Sequence, residues 1–372
     1  MTKSADEASH QSYMARALEL ARRGLYTTTP NPRVGCVIVR DHAVVGEGWH
    51  ERAGEPHAEV LALRAAGELA RGATAYVTLE PCAHRGRTPP CCEALAAAGV
   101  ASVIAAMEDP NPLVAGKGFA LLRAAHIAVA SGLMAHEAGE LNIGFVSRMT
   151  RKRPWVRLKV AASLDGKTAL LNGRSQWITG PESRRDGHAW RAQACAVLTG
   201  IGTVKDDNPQ LTVRDVVTTR QPLRVVVDSR LETPVDAKVV GEGMVIAAAA
   251  NHADRADYER RAQALQARGA EIVVLPNASG KVELPDLMLE LGRRGINELH
   301  VEAGYKLNGS LMNEGLVDEL LLYLAPGLLG DAAHGMFHLP ELKTLSAQRR
   351  LNIMDVRQIG PDIRILARVT PV

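Results

Sequence analysis

Between residues 155 and 302 the chain repeats one pattern: short β-rich apolar runs at 155–162, 195–200, 223–228, 244–249, 271–275 and 298–302. Helical stretches such as 255–268 and 285–294 separate several of them. A helical return brings the chain back to the same end of a sheet, so strands joined this way run parallel. Continuous apolar runs, rather than alternating ones, belong to strands covered on both faces. This segment is therefore predicted to be α/β with a largely parallel sheet. The C-terminal strands, 363–369 among them, are predicted to add an antiparallel edge.

Residues 1–150 follow another order. Over 6–24 the apolar residues Tyr13, Met14, Ala17, Leu18 and Ala21 recur at helical spacing, and Gly24 stops the helix. The runs 34–39 and 43–48 flank a short polar turn and read as a hairpin. Pro56 opens a helical stretch to about Ala70, and 73–79 is a short β-rich run. Residues 91–98 are helical, 100–107 form a buried strand, and helix, strand and helix follow to about Met149. A hairpin followed by βα units implies a mixed sheet covered by helices. The two patterns meet at "TRKRP", 150–154, where helices rarely continue into the residue before a proline. With 372 residues there is material for two domains, placed at 1–150 and 151–372.

Composition narrows the function. No apolar run approaches the ~18 residues of a membrane span, and the polar start "MTKSADEASHQ" lacks a signal-peptide apolar region. A soluble, cytoplasmic protein is expected. Lys and Arg total 44 against 41 Asp and Glu, and aromatics are 3% of residues, so the basic, ring-lined groove that grips single strands is not expected. Cysteines occur at Cys36, Cys82, Cys91, Cys92 and Cys195. An odd number, three of them in one segment, speaks for metal or catalytic use rather than a disulfide framework.

His57-Ala58-Glu59 stands at a helix start just after Pro56. Cys82 follows Pro81 in a loop beyond a strand, and Cys91 sits where Pro89-Pro90 launch another helix. Each alone reads as an ordinary buried side chain. Together they offer one nitrogen and two sulfurs where two helix N-termini and a strand end can meet, and helix N-termini favour thiolates. A structural zinc site is closed by four protein ligands, whereas three leave a position for water. Zinc lowers the pKa of such a water to about 7. Glu59 falls beside the metal rather than on it, suited to move a proton from water to a ring nitrogen and a departing amine.

Zinc deaminases carry this His-x-Glu and Pro-Cys, with the second cysteine three residues on. Here it is nine on. The long loop "EPCAHRGRTPPC" (80–91), with "TPNPRVGCVIV" (29–39), resembles the deaminase half of the bifunctional deaminase/reductase family of riboflavin biosynthesis. That resemblance implies a cytidine-deaminase-like three-layer domain and zinc on His57, Cys82 and Cys91, with Cys91 rather than its neighbour Cys92 as ligand. It also sets His84 at a substrate contact.

In the second domain Gly200-Ile201-Gly202-Thr203 lacks the third glycine of a dinucleotide fingerprint and reads rather as an ordinary strand-to-helix turn. Its residues alone indicate a nucleotide-sized α/β domain with candidate loops at the strand ends. The strings "LKVAASLDGKTA" (158–169), "SQWITG" (175–180), "DDNPQLTVR" (206–214), "VVVDS" (225–229) and "VEAG" (301–304) resemble, in order and spacing, the reductase half of the same family. That half is similar to dihydrofolate reductase in fold and uses NADPH. Carried over by position, the resemblance implies cofactor contacts at Ala161, Trp177, Thr203, Asp207, Ser229 and a turn of Gly304, Tyr305, Lys306, Leu307, Asn308, Gly309 and Ser310. Substrate contacts fall at Ser175, Arg191, Leu211, Arg214 and Glu302. Gly304 precedes a helical stretch, so its backbone can approach a pyrophosphate, and Arg191 and Arg214 suit a phosphate. Lys159 and Asp207 are candidate helpers in reduction, and Arg230 is placed to meet the 2′-phosphate of NADPH.

The implied reaction is deamination of 2,5-diamino-6-ribosylamino-4(3H)-pyrimidinone 5′-phosphate followed by NADPH reduction of the ribosyl group. The expected partner is that small phosphorylated pyrimidine, without nucleic acid or membrane, and a homo-oligomer is left open. The alternative is a nucleic-acid cytosine or adenine deaminase with an accessory domain; the nine-residue gap, balanced charge and few aromatics speak against it. A zinc-stabilised scaffold is a third reading, opposed by Glu59, because a structural site has no use for an acid beside the metal.

Overall fold

The computed structural model describes residues 2–83, 89–112, 114–249 and 255–370, with side chains from Glu7 onward. It divides into two units, Met1–Lys152 and Arg153–Val372. The first runs α1 (Thr2–Arg22), β1 (Gly35–Arg40), β2 (Ala43–Trp49), α2 (Ala58–Ala66), β3 (Thr74–Val77), α3 (Cys91–Ala97), β4 (Ser102–Ala105), α4 (Lys117–Ala124), β5 (Ala128–Ser131), α5 (Ala135–Leu141) and α6 (Ile143–Arg151). Its sheet order is β2-β1-β3-β4-β5, with β1 antiparallel to both neighbours and β3, β4 and β5 parallel.

Alternation along β1 explains the layers. Val37 and Val39 point to Met14, Ala17 and Leu18 of α1. Cys36 and Ile38 point the other way, to Ala58 and Ala62 of α2, Leu95 of α3 and Leu122 of α4. Each fully buried aliphatic side chain contributes roughly 1.5–3 kcal/mol, and burying both faces yields the expected three-layer domain. Asp41 and His42 both have positive φ (50° and 62°), the turn whose twist suits a two-residue hairpin. The helix expected to reach Ala70 ends earlier, because Gly67 turns left-handed at φ 54°, and 67–70 continues as a 3₁₀ turn. A side chain at Gly48 of β2 would meet the Ala58 carbonyl at 2.5 Å, so α2 lies directly on the sheet and its first residues are held there.

The second unit runs β6 (Trp155–Ser163), β7 (Lys167–Ala169), α7 (Pro181–Gln193), β8 (Ala196–Gly200), α8 (Ile201–Asp207), β9 (Leu223–Val227), β10 (Met244–Ala248), α9 (Arg255–Ala267), β11 (Ala270–Val274), α10 (Leu284–Arg293), β12 (Glu298–Val301), α11 (Tyr305–Asn313), β13 (Glu319–Ala325), β14 (His334–Gly335), β15 (Leu351–Ile359) and β16 (Asp362–Val369). Its main sheet has the order β11-β10-β9-β8-β12-β6-β13-β16-β15, while β7 and β14 form a separate pair. The strands from β11 through β13 are mutually parallel, and β16 and then β15 add antiparallel. The antiparallel addition expected at 363–369 is thus present, but the outermost strand is β15.

One face of the sheet packs Leu158, Leu198 and Val225 against Leu287 and Leu291 of α10 and Leu311 of α11. The other packs Val197, Val226 and Ile246 against Val204 of α8 and Leu265 of α9. The unit is the predicted α/β domain. Arg157 of β6 is buried with Glu319 at 2.5 Å and Glu298 at 3.3 Å, its guanidinium 4.3 Å over the Trp190 ring. β12 inserts between β6 and β8, so the direction of strand addition reverses there, and in such sheets ligands bind in the crevice outside the carboxyl ends of the strands at that point. Among the described residues no helix is long and apolar enough to cross a membrane.

Candidate functional site

In the first unit His57 is the N-cap of α2 and Glu59 lies in its first turn. Cys91 is the first residue of α3, whose N-cap is Pro90. Proline has no N–H to leave unpaired and starts helices readily, so both functional segments begin where Pro56 and Pro90 direct the chain. His57 Nδ1 lies 3.3 Å from Cys91 Sγ and 3.5 Å from Cys82 Sγ. All three donor atoms fall within 4.8 Å of one another. Ligands at ~2.0–2.3 Å from a tetrahedral zinc are ~3.5 Å apart, so this one-nitrogen, two-sulfur set fits zinc in spacing and chemistry.

Electrostatics agree with that use. The Cys82 thiol is pulled down to about 4 by hydrogen bonds from Cys91 and His57, and the bond to Cys82 raises His57. Glu59 is buried, and burial, with the Cys82 sulfur adding to it, pushes its carboxyl up to about 7. Cys92 faces elsewhere: its Sγ donates to the carbonyls of Pro81 (3.2 Å) and Gly118 (3.4 Å). Burial pushes its thiol up to about 12. His84 lies outside the described residues.

Three residues that the sequence did not single out join this site. The buried His50 ring meets His57 edge-on, centroids 5.3 Å apart. His50 Nδ1 donates to the Pro56 carbonyl (3.2 Å), which leaves Nε2 to accept from Asn31 Nδ2 (3.1 Å). Asn31 stood inside "TPNPRVGCVIV", yet nothing in its spacing to His50 signals the pair. Glu80, immediately before Pro81-Cys82, is buried and accepts hydrogen bonds from four backbone amides.

Of the residues expected to serve reduction, Thr203 and Gly304 directly follow the carboxyl ends of β8 and β12. Gly200 and Gly304 are the N-caps of α8 and α11. A Cβ on Gly304 would lie 3.8 Å from Thr203 Oγ1, and one on Gly200 3.1 Å from Leu307 Cδ2. The two helix starts therefore form one cradle with bare backbone, which fits a dinucleotide pyrophosphate. Asp207 ends α8 and accepts from Gln176 Nε2 (3.0 Å) and Ser175 Oγ (3.4 Å). Trp177 is 72% exposed, with Arg184 4.6 Å over its ring. Ala161 lies on β6 opposite Tyr323. Ser229 stands two residues beyond β9, its Oγ accepting from Val282 N (3.1 Å). The Arg230 side chain is 75% exposed and 3.9 Å from Glu232.

The turn at Gly304 is the N-cap of α11, and the helical stretch expected over 306–313 is present as Tyr305–Asn313. Tyr305, Lys306 and Leu307 form its first turn, where amides are free of intrahelical partners. Tyr305 stacks on His334 at 4.8 Å. Deeper in, Asn308 is buried and donates to the Met336 carbonyl (3.1 Å). A Cβ on Gly309 would meet the His338 carbonyl at 2.1 Å, and Ser310 Oγ bonds back to Lys306 O (3.2 Å). These three side-chain positions serve the helix and its packing.

Arg191 forms a fork with Glu302, Nε to Oε1 and Nη2 to Oε2, and its Nη1 donates to the Thr212 carbonyl (3.1 Å). Three of its five N–H groups are therefore used within the protein. Lys159 Nζ lies 3.7 Å from the same Glu302, and with Arg191 it holds that carboxylate well below its usual range against the cost of burial. Arg214 is freer: among the described residues its Nη1 donates to Gln210 Oε1 (3.1 Å) and Thr212 Oγ1 (3.2 Å) on the exposed side. Leu211 is buried in the core with φ 54°, a costly conformation for a leucine.

Residues 154–365 match the family described as RibD C-terminal domain, and residues 7–107 that described as cytidine and deoxycytidylate deaminase zinc-binding region. The chain is 50% identical over 363 residues to riboflavin biosynthesis protein RibD of Escherichia coli (strain K12), covering 94% of this chain and 97% of that protein. It is 46% identical over 366 residues to RibD of Haemophilus influenzae, covering 95% of each. Among solved structures, Acinetobacter baumannii RibD superposes with a TM-score of 0.90 at 44% identity, over 98% of this chain and 100% of that one. The diaminohydroxyphosphoribosylaminopyrimidine deaminase/5-amino-6-(5-phosphoribosylamino)uracil reductase of Thermotoga maritima does so at 0.85 and 31% identity, with the same coverage. With both halves matched in order over nearly the whole length, the chain belongs to the RibD family of bifunctional deaminase/reductases.

Proposed function

We propose that the first unit deaminates 2,5-diamino-6-ribosylamino-4(3H)-pyrimidinone 5′-phosphate at zinc, and that the second reduces the product with NADPH to 5-amino-6-(5-phospho-D-ribitylamino)uracil. The observation that carries the reading is the meeting of His57, Cys82 and Cys91 beside a buried carboxyl, Glu59, one residue into α2. Zinc held by the three donors supplies a Lewis acid that lets water react as hydroxide near neutral pH. Glu59, whose carboxyl lies near 7, takes one proton from water as its oxygen bonds to carbon and passes it to the ring nitrogen, then takes the proton of the added hydroxyl and passes it to the amine, which leaves as ammonia as the C–N bond breaks and the carbonyl forms. The fixed tautomer of His50, with Asn31, presents oriented polar groups beside that event. A cytoplasmic setting belongs to the same reading, since the five cysteines are free thiols.

In the second unit NADPH supplies the hydride to C1′ of the ribosyl group. The first-turn amides of α11, with Gly304 and Thr203, face the pyrophosphate, and exposed Trp177 and Asp207 border the same crevice. Arg191 and Lys159 orient Glu302 toward the sugar. With most of Arg191 given to Glu302, Arg214 takes the larger share of the 5′-phosphate. Arg214→Met is expected to raise the reductase KM about tenfold, the worth of one charge-assisted bond. Arg191→Met lowers kcat as well, because it unpairs a buried carboxylate that positions substrate. Steady-state kinetics on deaminated substrate, phosphorylated and dephosphorylated, check this; equal turnover of the two by unmodified enzyme removes the phosphate role.

The activity test is incubation of the purified chain with the diaminopyrimidinone ribotide, followed by mass spectrometry. Without NADPH the substrate gains one mass unit as an amine becomes a carbonyl, and with NADPH two more. An unchanged mass in both tubes, with deamination of a cytosine-containing single strand instead, would establish the nucleic-acid alternative.

A further inference from the structure

We infer that Glu80 is a positioning residue of the deaminase, fixing the direction of the Cys82 ligand. Its carboxylate is 3% exposed. Oε2 accepts the amides of Asp109 (3.1 Å) and Gly116 (3.0 Å). Oε1 accepts those of Gly118 (2.8 Å) and Phe119 (3.2 Å). Two of these amides belong to the first turn of α4, whose N-cap, Gly116, has no side chain to satisfy them. Glu80 therefore caps α4 from across the chain, its negative charge at the positive end of that helix.

The consequence lies one and two residues onward. A Cβ on Gly118 would meet the Pro81 carbonyl at 2.1 Å, so the α4 start rests on the peptide leading into Cys82. Cys92 Sγ donates to both the Pro81 and Gly118 carbonyls, bridging the two segments from the other side. The Cys82 carbonyl accepts Cys92 N (3.3 Å), and the Cys82 sulfur accepts Cys91 N (3.3 Å). From Glu80 to Cys82 the chain is thus held by these protein contacts, with the Cys82 sulfur 3.5 Å from His57 Nδ1. Groups behind a ligand that fix its direction typically affect metal affinity or activity by 10–100-fold. An amide at position 80 would turn an NH₂ toward two backbone donors, so Glu80→Gln keeps the size and breaks half the cap.

This inference rests on the zinc reading above, and cobalt(II) separates the two. The full chain, loaded with cobalt, is expected to show a tetrahedral visible spectrum with sulfur-to-cobalt charge transfer. Glu80→Gln should shift that spectrum and weaken zinc retention against a chelator by about 10–100-fold. Its deaminase kcat should fall with KM within about threefold, while reductase turnover of deaminated substrate, measured on the same sample, stays normal and reports an intact chain. Glu80→Asp, which keeps the charge, should restore part of the zinc affinity, and serves alone if the glutamine variant does not fold. Unmodified chain that takes up no cobalt sinks the zinc reading and this inference with it. Normal cobalt uptake with an unaltered spectrum and zinc affinity in the folded variants overturns Glu80's role alone.

Discussion

Replacing Cys91 by serine is expected to yield a chain that purifies without zinc, while the same change at the adjacent Cys92 leaves about one zinc per chain. The difference follows from where α3 begins. Cys91 is its first residue, with Sγ 3.3 Å from His57 Nδ1. Residue 92 is turned by about 100° around the helix axis, and its Sγ meets the Pro81 and Gly118 carbonyls instead. Serine at 91 substitutes a hard, weakly acidic hydroxyl for a thiolate, and the two remaining donors make a far poorer site. Serine at 92 keeps a donor for both carbonyls. Elemental analysis of the dialysed proteins measures it, and retention by Cys91→Ser with loss from Cys92→Ser reverses the assignment.

Glu59→Gln should keep its zinc and lose deamination by about 10²–10⁴-fold, the usual contribution of a general acid–base group. The amide has the same shape and fits the same buried position, but it takes up no proton. The carboxyl it replaces is held near 7 chiefly by burial, so at neutral pH it can both accept and release one. Reduction of pre-deaminated substrate should continue at the unmodified rate, since its residues belong to the other unit. Ammonia release and NADPH oxidation, assayed separately on the same sample, test both halves. Residual deamination above about a tenth would remove the proton-carrying role.

Local signals were legible wherever structure depends on neighbours a few residues apart. The strands from β6 to β12 announced themselves as apolar runs because both sheet faces are covered, and the 41–42 turn because it joins two such runs. His57 and Cys91 were readable at helix starts because Pro56 and Pro90 mark those starts in the chain itself. Boundaries shifted where one backbone angle decided them, as at Gly67. The helical stretch after Gly304 is legible in the chain itself, and α11 forms there. Only α11's packing on the 336–338 backbone shows that Asn308 and Gly309 face inward.

What the sequence determined by itself was the kind of chemistry: one histidine, two cysteines and an acid, with the long 80–91 loop that resembles the riboflavin deaminases, then an α/β unit with arginines and glycines at its strand ends. Tertiary structure alone decided which groups meet. Arg191 reads as a phosphate fork until β12 brings Glu302, 111 residues away, against it. Glu80 appears in the sequence only as the first residue of the 80–91 string, and α4 brings amides to it from 36 to 39 residues on. The reason is physical: helical and strand periodicity extend over a turn or two. A buried charge, by contrast, is satisfied by whatever donor the packed layers deliver, and sequence distance sets no limit on that.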